Sequence, residues 1–419
     1  MTTIVAINRT IPWNRIVTGC LVFTLFALPL SSSGKSIGIV LALLSIMASP
    51  SHRRQVRQSL SMFWCQASMA LFGLVLCACF WGPATLHDQF FVMEKYSKLL
   101  YLPLLAVGFR DPRTRFWSLH AFVLAMLITC FFCLYKEWYT LAWGHHAFRT
   151  DSGAIFRNHI ITGSMAAFAA YITGMYFFKT QGVQRVLYAL VWVVLTTHVL
   201  LINTGRTGYV IYGLLMFVLV CQTLNARRAL LGFVAFGALF LMAFEFSPVL
   251  HTGLSQVVSD WKMFHKNQPN TSIGARLTFH QYAKEKYREK PVMGQGTASF
   301  TSLFAKDNPL PSWNRRLWEP HSQYWLMAAE FGFCGILLFL VWCVSLMRAC
   351  WQLSHLRSMG FALIASFMLG SLTDSLLFYS GTGYFFILMM AICLGELHDN
   401  VAVVPDKYSP VFEPSVQPE

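Results

Sequence analysis

Three basic residues, Arg206, Arg276 and His321, have side chains that could act on an anionic substrate. Arg206 lies in a short break, residues 203–208, between two apolar segments, and His321 directly precedes a third. A guanidinium offers forked donors that suit phosphate oxygens, and a histidine can take up a proton near neutral pH. The residue types therefore predict an anion site and a general base. The alternatives are an arginine that only reaches toward water from an apolar surface, and a histidine with ordinary hydrogen bonds.

Arg276 lies in a segment with the pattern of a helix. Ser272 could cap this helix, which we expect to run to about Lys290 and to end at Pro291. Helical spacing places three residues on the face of Arg276: His280, Ala283 and Tyr287. The end of the helix is cationic, with Lys284, Lys286, Arg288 and Lys290. A helix that lies on anionic lipid headgroups explains these lysines, but it explains Arg276 less well, because that residue shares a face with aromatic and small residues.

Asp374 is an acidic residue inside a predicted apolar segment. Ionisable groups are costly in lipid, usually face the protein interior and are candidates for function. As a hypothesis, its partner is one of the arginines that lie outside the apolar segments, which its carboxylate would hold in place. Glu319 and Asp151 could also act as bases, although nothing in their spacing selects them. The adjacent histidines at 145–146 have no further ligand set nearby, so we predict no metal site.

The composition decides what kind of element must position these residues. Of the 419 residues, 56% are hydrophobic and 12% are charged, whereas about 25% of a soluble domain is charged. Apolar segments long enough to cross a membrane as helices recur along the chain. The predicted fold is therefore an all-α polytopic membrane protein with about twelve transmembrane helices. We expect these near residues 16–30, 37–49, 61–81, 93–109, 116–140, 159–178, 185–203, 208–224, 229–247, 322–346, 358–378 and 383–396.

The positions of the basic residues predict the orientation of the chain. Basic residues lie in alternate short loops, for example Arg53, Arg54, Arg57, Arg227 and Arg228, so the net charge of +14 indicates membrane topology and not a nucleic-acid partner. The pattern predicts that both termini are cytoplasmic. It places the one long loop, 248–321, outside the cytoplasm; we expect short helices in this loop, which separates spans one to nine (1–247) from spans ten to twelve (322–399) and a disordered tail (400–419). The eleven cysteines all lie in or beside apolar segments, which argues against a disulfide framework.

The stretch from His321 to Gly335 resembles a signature of the O-antigen ligase superfamily. In that signature a histidine is followed by Asn, Ser or Gln, then nine residues and Gly-x-x-Gly; here these are Ser322, residues 323–331 and Gly332-Phe333-Cys334-Gly335. Upstream, the order of Arg276, Ala283, Pro291 and Gly294-Gln295-Gly296 is similar to the superfamily's stretch before the histidine. Arg206 and Asp374 resemble two further family positions, and the long loop resembles the family's periplasmic loop.

The resemblance implies an inverting glycosyltransferase with no cofactor. It would transfer a glycan from undecaprenyl diphosphate to a sugar hydroxyl of lipid A-core, at the periplasmic face of a bacterial inner membrane. Arg206 and Arg276 would stabilise the leaving diphosphate, and His321 would be either the general base or a diphosphate ligand. We also expect substrate contacts from residues near these three, namely Arg157, His159, Asp374, Arg288, Ser322 and Tyr324.

Other functions remain open from the sequence. The superfamily also includes O-antigen polymerases and protein O-oligosaccharyltransferases, and the signature does not separate them. The ligase is favoured because little sequence follows the last predicted span. A secondary transporter would have a similar number of helices, but internal repeats and a site near the membrane midplane are expected of that class. The candidate residues instead cluster at one face of the membrane.

Overall fold

The regular structure of residues 12–143, 155–266 and 270–398, the part of the chain that the computed structural model describes, is helical and contains no strand. Its first eight α-helices are α1 (Trp13–Leu30), α2 (Ser32–Ala48), α3 (Pro50–Ser59), α4 (Phe63–Cys77), α5 (Leu86–Tyr96), α6 (Lys98–Gly108), α7 (Pro112–Trp143) and α8 (His159–Lys179). The others are α9 (Gly182–Thr197), α10 (Arg206–Thr223), α11 (Ala226–Phe246), α12 (Pro248–His265), α13 (Ser272–Glu289), α14 (Ser299–Asp307), α15 (Gln323–Trp351), α16 (Arg357–Gly370) and α17 (Ser380–Gly395). This confirms the predicted class of all-α polytopic membrane protein.

The number of long apolar helices in the described residues differs from the predicted number of spans. In the described residues nine helices are long and apolar enough to cross a membrane, or ten if the bent pair α2–α3 counts as one span. The predicted twelve is therefore not confirmed. Three predicted spans correspond to helices that are short for a membrane span: 37–49 to α2 with 17 residues, 93–109 to α6 with 11 and 358–378 to α16 with 14. The chain stays apolar across breaks such as Ser97 and the turn after Gly370, so hydropathy alone does not mark where these helices end.

The helices differ in how much of their surface the protein covers. Among the long apolar helices α17 is the most enclosed, since all of its residues except Ser380 and Tyr384 are buried, and it packs against α6. α11 lies at the periphery, with only 11% of its residues buried and large apolar side chains such as Phe246 and Leu231 exposed. Such a surface suits lipid, because apolar side chains cost nothing in contact with hydrocarbon. The polar candidate residues lie near α10, α13 and α15.

Three helices, α12, α13 and α14, occupy the stretch that the sequence predicted as one long loop. The predicted helix around Arg276 is present as α13, but its N-cap is Thr271, whose side chain accepts from the backbone N–H of Gly274 at 3.0 Å. The expected cap, Ser272, is instead the first residue of the helix. Lys286 at the cationic end contacts Asp307 of α14 at 3.0 Å. That lysine therefore serves contacts within the protein, and not only a lipid surface.

The two glycine motifs of the sequence meet and fix α15 against the end of α13. Gly332 interrupts α15 with a φ of +64°, and Gly294 has a φ of +67°. A Cβ on Gly332 would lie 2.4 Å from the carbonyl oxygen of Val292, and one on Gly294 would lie 2.5 Å from the backbone of Glu330. The backbone N–H groups of Gln295 and Phe333 bond across this contact at 2.9 and 2.7 Å. Only residues without a side chain allow such an approach in this conformation.

Candidate active site

His321 lies at the centre of a buried cluster just before α15. Its Nδ1 atom is 3.2 Å from Oε1 of Glu319 and 3.3 Å from Oδ1 of Asp374. Its backbone has a φ of +55°, the left-handed region that a residue other than glycine seldom occupies. Ser322, the next residue, is the N-cap of α15 and accepts from the N–H of Trp325 at 3.5 Å. The ring orientation is thus set by two carboxylates and by the start of a helix.

Glu319 and Asp374 are both held by further hydrogen bonds. The Tyr379 hydroxyl donates to Oε1 of Glu319 at 2.5 Å, and the backbone N–H of His321 donates to Oε2 at 2.6 Å. The N–H of Ser375 donates to Oδ1 of Asp374 at 3.0 Å. Both carboxylates are almost fully buried. Carboxylates fixed in this way can orient an imidazole and stabilise its protonated form.

The environment shifts the proton affinities of this cluster. Burial alone would lower the pKa of His321, but the hydrogen bond to Asp374 and the charges of Glu319 and Asp374 outweigh it and raise the pKa above its usual value. Burial raises the pKa of Glu319, and the neighbouring His321 opposes this only in part. Burial and the two carboxylates also raise the pKa of Tyr379. Because Nδ1 faces the carboxylates, it carries the proton of the neutral ring, which leaves Nε2 as the basic nitrogen.

Arg206 and Arg276 line one cavity of about 330 Å³ beside this cluster. The cavity also holds the side chain of His280, and most of its remaining wall is aliphatic, from residues such as Val210, Val257, Ile273, Leu277 and Leu372. His280 Nε2 lies 3.3 Å from the backbone carbonyl oxygen of His321 and connects the cavity to the cluster. Burial, and the charge of Arg276, lower the pKa of His280 despite that bond. The cavity combines two guanidinium groups with an apolar wall.

The two arginines are held differently. Arg206, the first residue of α10, donates to the Gln256 side chain at 3.0 Å, and its guanidinium is 3.9 Å from the carboxylate of Asp260 on α12. For Arg276, in the part of the chain that the structure describes, no carboxylate oxygen lies within 4 Å of the guanidinium. Its charge does act on His321. Asp260 therefore balances the charge of Arg206, whereas no described carboxylate within 4 Å balances the charge of Arg276.

The sequence predicted that Asp374 lies inside a membrane helix, and this prediction is wrong. α16 ends at Gly370, and Asp374 lies in the turn, residues 371–379, that leads to α17. Its partner is His321 and not an arginine. Gln323 holds this turn at both ends: its backbone N–H donates to the carbonyl of Ser371 at 2.9 Å, and its side chain accepts from the N–H of Leu377 at 3.1 Å. The turn brings a late residue of the chain to His321.

The other residues that we expected to bind substrate lie outside the cavity wall. Arg157 donates to the carbonyl of Leu28 at 2.8 Å and to the Ser32 side chain, at the junction of α1 and α2. Arg288 is exposed near the end of α13, twelve residues from Arg276 and thus about 18 Å along the helix.

Three further expected contacts have structural partners. The Tyr324 hydroxyl donates to the carbonyl of Met368 at 3.0 Å, and Ser322 donates to the carbonyl of Ser371 at 3.4 Å. His159 begins α8, and its carbonyl oxygen lies 2.8 Å from where a Cβ of Gly205 would be. The structure brings together His321, Arg206, Arg276 and Asp374. The remaining candidates do not line the cavity.

Some residues of the site were not identified from sequence. Glu319 was set aside because its spacing did not single it out, although it is separated from His321 by one residue, Pro320. Tyr379 and Asp260 had no motif that pointed to them. His280 was placed on the face of Arg276 without a role. The Glu-Pro-His sequence beside the signature histidine was the one available signal.

Three ligand atoms of the cluster lie within metal-binding distance of one another. Glu319, His321 and Asp374 each offer one, and these atoms are all within 4.8 Å of each other. A divalent cation there would replace the hydrogen bonds to Nδ1 of His321 and would leave Arg276 beside a further positive charge. The absence of a metal requirement remains a prediction from the sequence.

A family model described as O-antigen ligase matches residues 189–340 of this chain. The matched stretch begins in α9 and ends in α15, so it includes Arg206, Arg276, Glu319 and His321 and excludes Asp374. No curated protein shows significant similarity to the chain.

Proposed function

Because the chain belongs to the O-antigen ligase superfamily, as its motifs predicted, we propose that it transfers a glycan from undecaprenyl diphosphate to a sugar hydroxyl of lipid A-core. One observation carries this proposal: a cavity lined by Arg206 and Arg276 adjoins a histidine held by two carboxylates. The first group suits a diphosphate, and the second suits the removal of a proton from a hydroxyl.

The diphosphate of the donor binds between the guanidinium groups of Arg206 and Arg276. Negative charge grows on its oxygens as the bond to the sugar breaks, and cations already in position stabilise that charge without rearrangement. Arg276 suits this role because no described carboxylate within 4 Å neutralises it. The aliphatic wall of the cavity, with Val210 and Leu372, accommodates the first isoprene units of the lipid tail.

His321 activates the acceptor. The acceptor hydroxyl oxygen attacks the anomeric carbon, the bond from that carbon to the diphosphate oxygen breaks, and the hydroxyl proton passes to Nε2 of His321. Asp374 and Glu319 stabilise the imidazolium that forms, which agrees with the raised pKa of His321. One displacement inverts the anomeric configuration. His280, with its lowered pKa, stays neutral beside Arg276 and supports the backbone of His321.

The site faces the periplasm of a bacterial inner membrane in this proposal, and both termini are cytoplasmic. The alternation of basic loops supports this orientation, because it puts the ends of α10 and α15 that carry the site on the outer face. Lipid-linked donor and lipid A-core acceptor would both reach the cavity from the outer leaflet.

The test is transfer by the purified protein. Wild type, His321→Ala, Arg206→Ala and Arg276→Ala are incubated with an undecaprenyl-diphosphate glycan and lipid A-core, and the products are separated by gel mobility. Lys284→Ala, an exposed residue of α13, and His265→Ala, an exposed residue at the end of α12, are the matched controls. We expect transfer by wild type and controls only. A longer lipid-linked glycan without transfer would make the protein a polymerase, and no product of either kind would reject the proposed transfer to lipid A-core.

A further inference from the structure

Lys98, the first residue of α6, is fully buried and lies outside the cavity and the His321 cluster. Its ammonium nitrogen, Nζ, donates to three successive backbone carbonyls, those of Leu377 at 2.8 Å, Phe378 at 3.3 Å and Tyr379 at 3.1 Å. An ammonium group has three N–H donors, so each finds an acceptor. In the described residues, none of the ion pairs includes Lys98. Backbone dipoles therefore take the place of a counter-ion.

The three carbonyls belong to the turn, residues 371–379, that carries Asp374 and Tyr379. Asp374 contacts His321 at 3.3 Å, and the hydroxyl of Tyr379 donates to Glu319 at 2.5 Å. Gln323 at the start of α15 bonds to Ser371 and Leu377 of this turn, and Lys98 bonds to its last three residues, 377–379. A shift of the turn would move both groups that hold the histidine.

The chain makes room for this lysine at Gly383 of α17. A Cβ at Gly383 would lie 2.6 Å from Nζ of Lys98 and 2.6 Å from the carbonyl oxygen of Leu377. The ring of Tyr384, the next residue, has its centroid 5.1 Å from Nζ. Burying an ammonium in an apolar protein is costly unless it is fully hydrogen-bonded. An aliphatic residue would fill the same space more cheaply, which indicates that the three hydrogen bonds to the turn have a use.

We propose that Lys98 is a positioning residue for the glycan transfer proposed above, in that it fixes the 371–379 turn so that Asp374 and Tyr379 hold His321 and Glu319 in place. This inference rests on the proposed function, because its readout is that reaction. Lys98 does not touch the substrate. Its effect falls on activation of the acceptor, whereas Arg206 and Arg276 continue to bind the donor.

The alternative is that Lys98 only stabilises the helix bundle. A purely structural role would change the amount of folded protein without changing the behaviour of His321 in the folded fraction. A positioning role changes the pH profile of the rate, because the proton affinity of His321 depends on how closely the carboxylates face it. The charged and titratable groups that face His321 are Glu319, Asp374, Arg276 and, through its backbone contact, His280. If the turn loosens, the carboxylates support the imidazolium less and Arg276 remains. The acid limb of the rate profile then moves to lower pH.

The experiment compares Lys98→Met with Lys95→Met in the purified full-length protein. Lys95 is on the preceding helix, where its ammonium contacts Glu94 at 3.2 Å and lies 4.2 Å from the centroid of the Phe91 ring. For Lys98→Met we expect kcat to fall on the order of 100-fold, as misplaced catalytic groups typically cause, with KM for the donor unchanged and the acid limb at lower pH. Wild-type kcat and pH profile in folded Lys98→Met would overturn the inference.

A second variant covers the case in which Lys98→Met does not fold. Gly383→Ala keeps the ammonium but crowds it against Leu377, and we expect the same loss of kcat and the same shift of the acid limb. Folded Gly383→Ala with the wild-type profile would reject the positioning role. If wild type itself transfers no glycan, the proposed function fails. If wild type transfers glycan and both folded variants match it, only the role of Lys98 fails.

Discussion

Nδ1 of His321 lies 3.3 Å from Oδ1 of Asp374, a residue 53 positions later in the chain. The contact closes the loop formed by α15, α16 and the turn that follows. It also fixes which ring nitrogen is free, since Nδ1 is engaged and Nε2 remains for a substrate. The function proposed for the site depends on this contact, and the first prediction addresses it.

Asp374→Asn should lower kcat by on the order of 100-fold or more, because an amide can present its NH₂ group to Nδ1 and favour the wrong tautomer of the ring. KM for the donor should change little, since Arg206 and Arg276 are untouched. Steady-state kinetics of transfer test this prediction. Asp111→Asn is the control, because the Asp111 carboxylate accepts from the backbone N–H of Arg113 at the start of α7 and is not part of the His321 cluster. Equal rates for Asp374→Asn and wild type would remove Asp374 from the mechanism.

Glu319→Gln should move the acid limb of the rate profile to lower pH. The general base must be unprotonated, so the rate falls below the pKa of His321. The charge of Glu319 contributes to raising that pKa, and its removal lowers it. The measurement is kcat against pH for the variant and wild type. An acid limb that stays in place, or that moves to higher pH, would contradict the assigned coupling.

The contribution of His321 to the stability of the protein should fall as pH rises above 6.5, the ordinary pKa of a histidine. His321 has a folded-state pKa above its ordinary value of 6.5, so the stabilisation of its protonated form is complete below that value and is lost as pH rises through the raised pKa. Thermal unfolding in detergent at a series of pH values measures this dependence. His321→Gln should reduce it. A variant with the same pH dependence as wild type would show that His321 is not its source.

Gly332→Ala should destabilise the protein, because φ at this position is +64° and the new Cβ would lie 2.4 Å from the carbonyl oxygen of Val292. A strained backbone conformation alone costs about 1–3 kcal/mol, and the clash adds to that. Gly237→Ala is the matched control, since nothing lies within 4 Å of a Cβ there and alanine favours a helix over glycine by about 0.5–1 kcal/mol. Thermal unfolding of both variants decides. Equal loss of stability would mean that the glycine contact is not specific.

Transfer should be insensitive to EDTA. Glu319, His321 and Asp374 are close enough to hold a cation, but the proposed role of His321 needs its Nδ1 to bond the carboxylates. Added Zn²⁺ should therefore inhibit by occupying these three residues. The rate is measured after EDTA treatment and after Zn²⁺ addition. Loss of activity in EDTA that Mg²⁺ or Mn²⁺ restores would replace the metal-free mechanism.

Local patterns in the sequence were enough to predict the parts of the site that lie within one element. The spacing of Arg276 and His280 on one helix face held, because a helix fixes the directions of residues four apart. The apolar segments identified the membrane class for a similar reason. The glycines of the signature were recognised as a motif, and the structure adds their cause, a backbone contact between Gly332 and Val292.

The parts that sequence missed depend on tertiary contacts. Asp374 was assigned to a span and to an arginine because the residues around it are apolar, whereas the helix ends at Gly370 and the turn carries the side chain to His321. Glu319 is held by the backbone N–H of His321 and by the hydroxyl of Tyr379, which is 60 positions away. Lys98 fell inside the predicted span 93–109, and its three carbonyl partners lie in a turn that hydropathy did not reveal.

The most direct test of the central claim is a single-turnover measurement of glycan transfer to lipid A-core by purified His321→Ala, with His265→Ala beside it. The account predicts that His265→Ala transfers at the wild-type rate and that folded His321→Ala, with the donor still bound, transfers at least 100-fold more slowly, on the order expected for loss of a general base. Transfer by folded His321→Ala at the wild-type rate would contradict the claim that this histidine activates the acceptor.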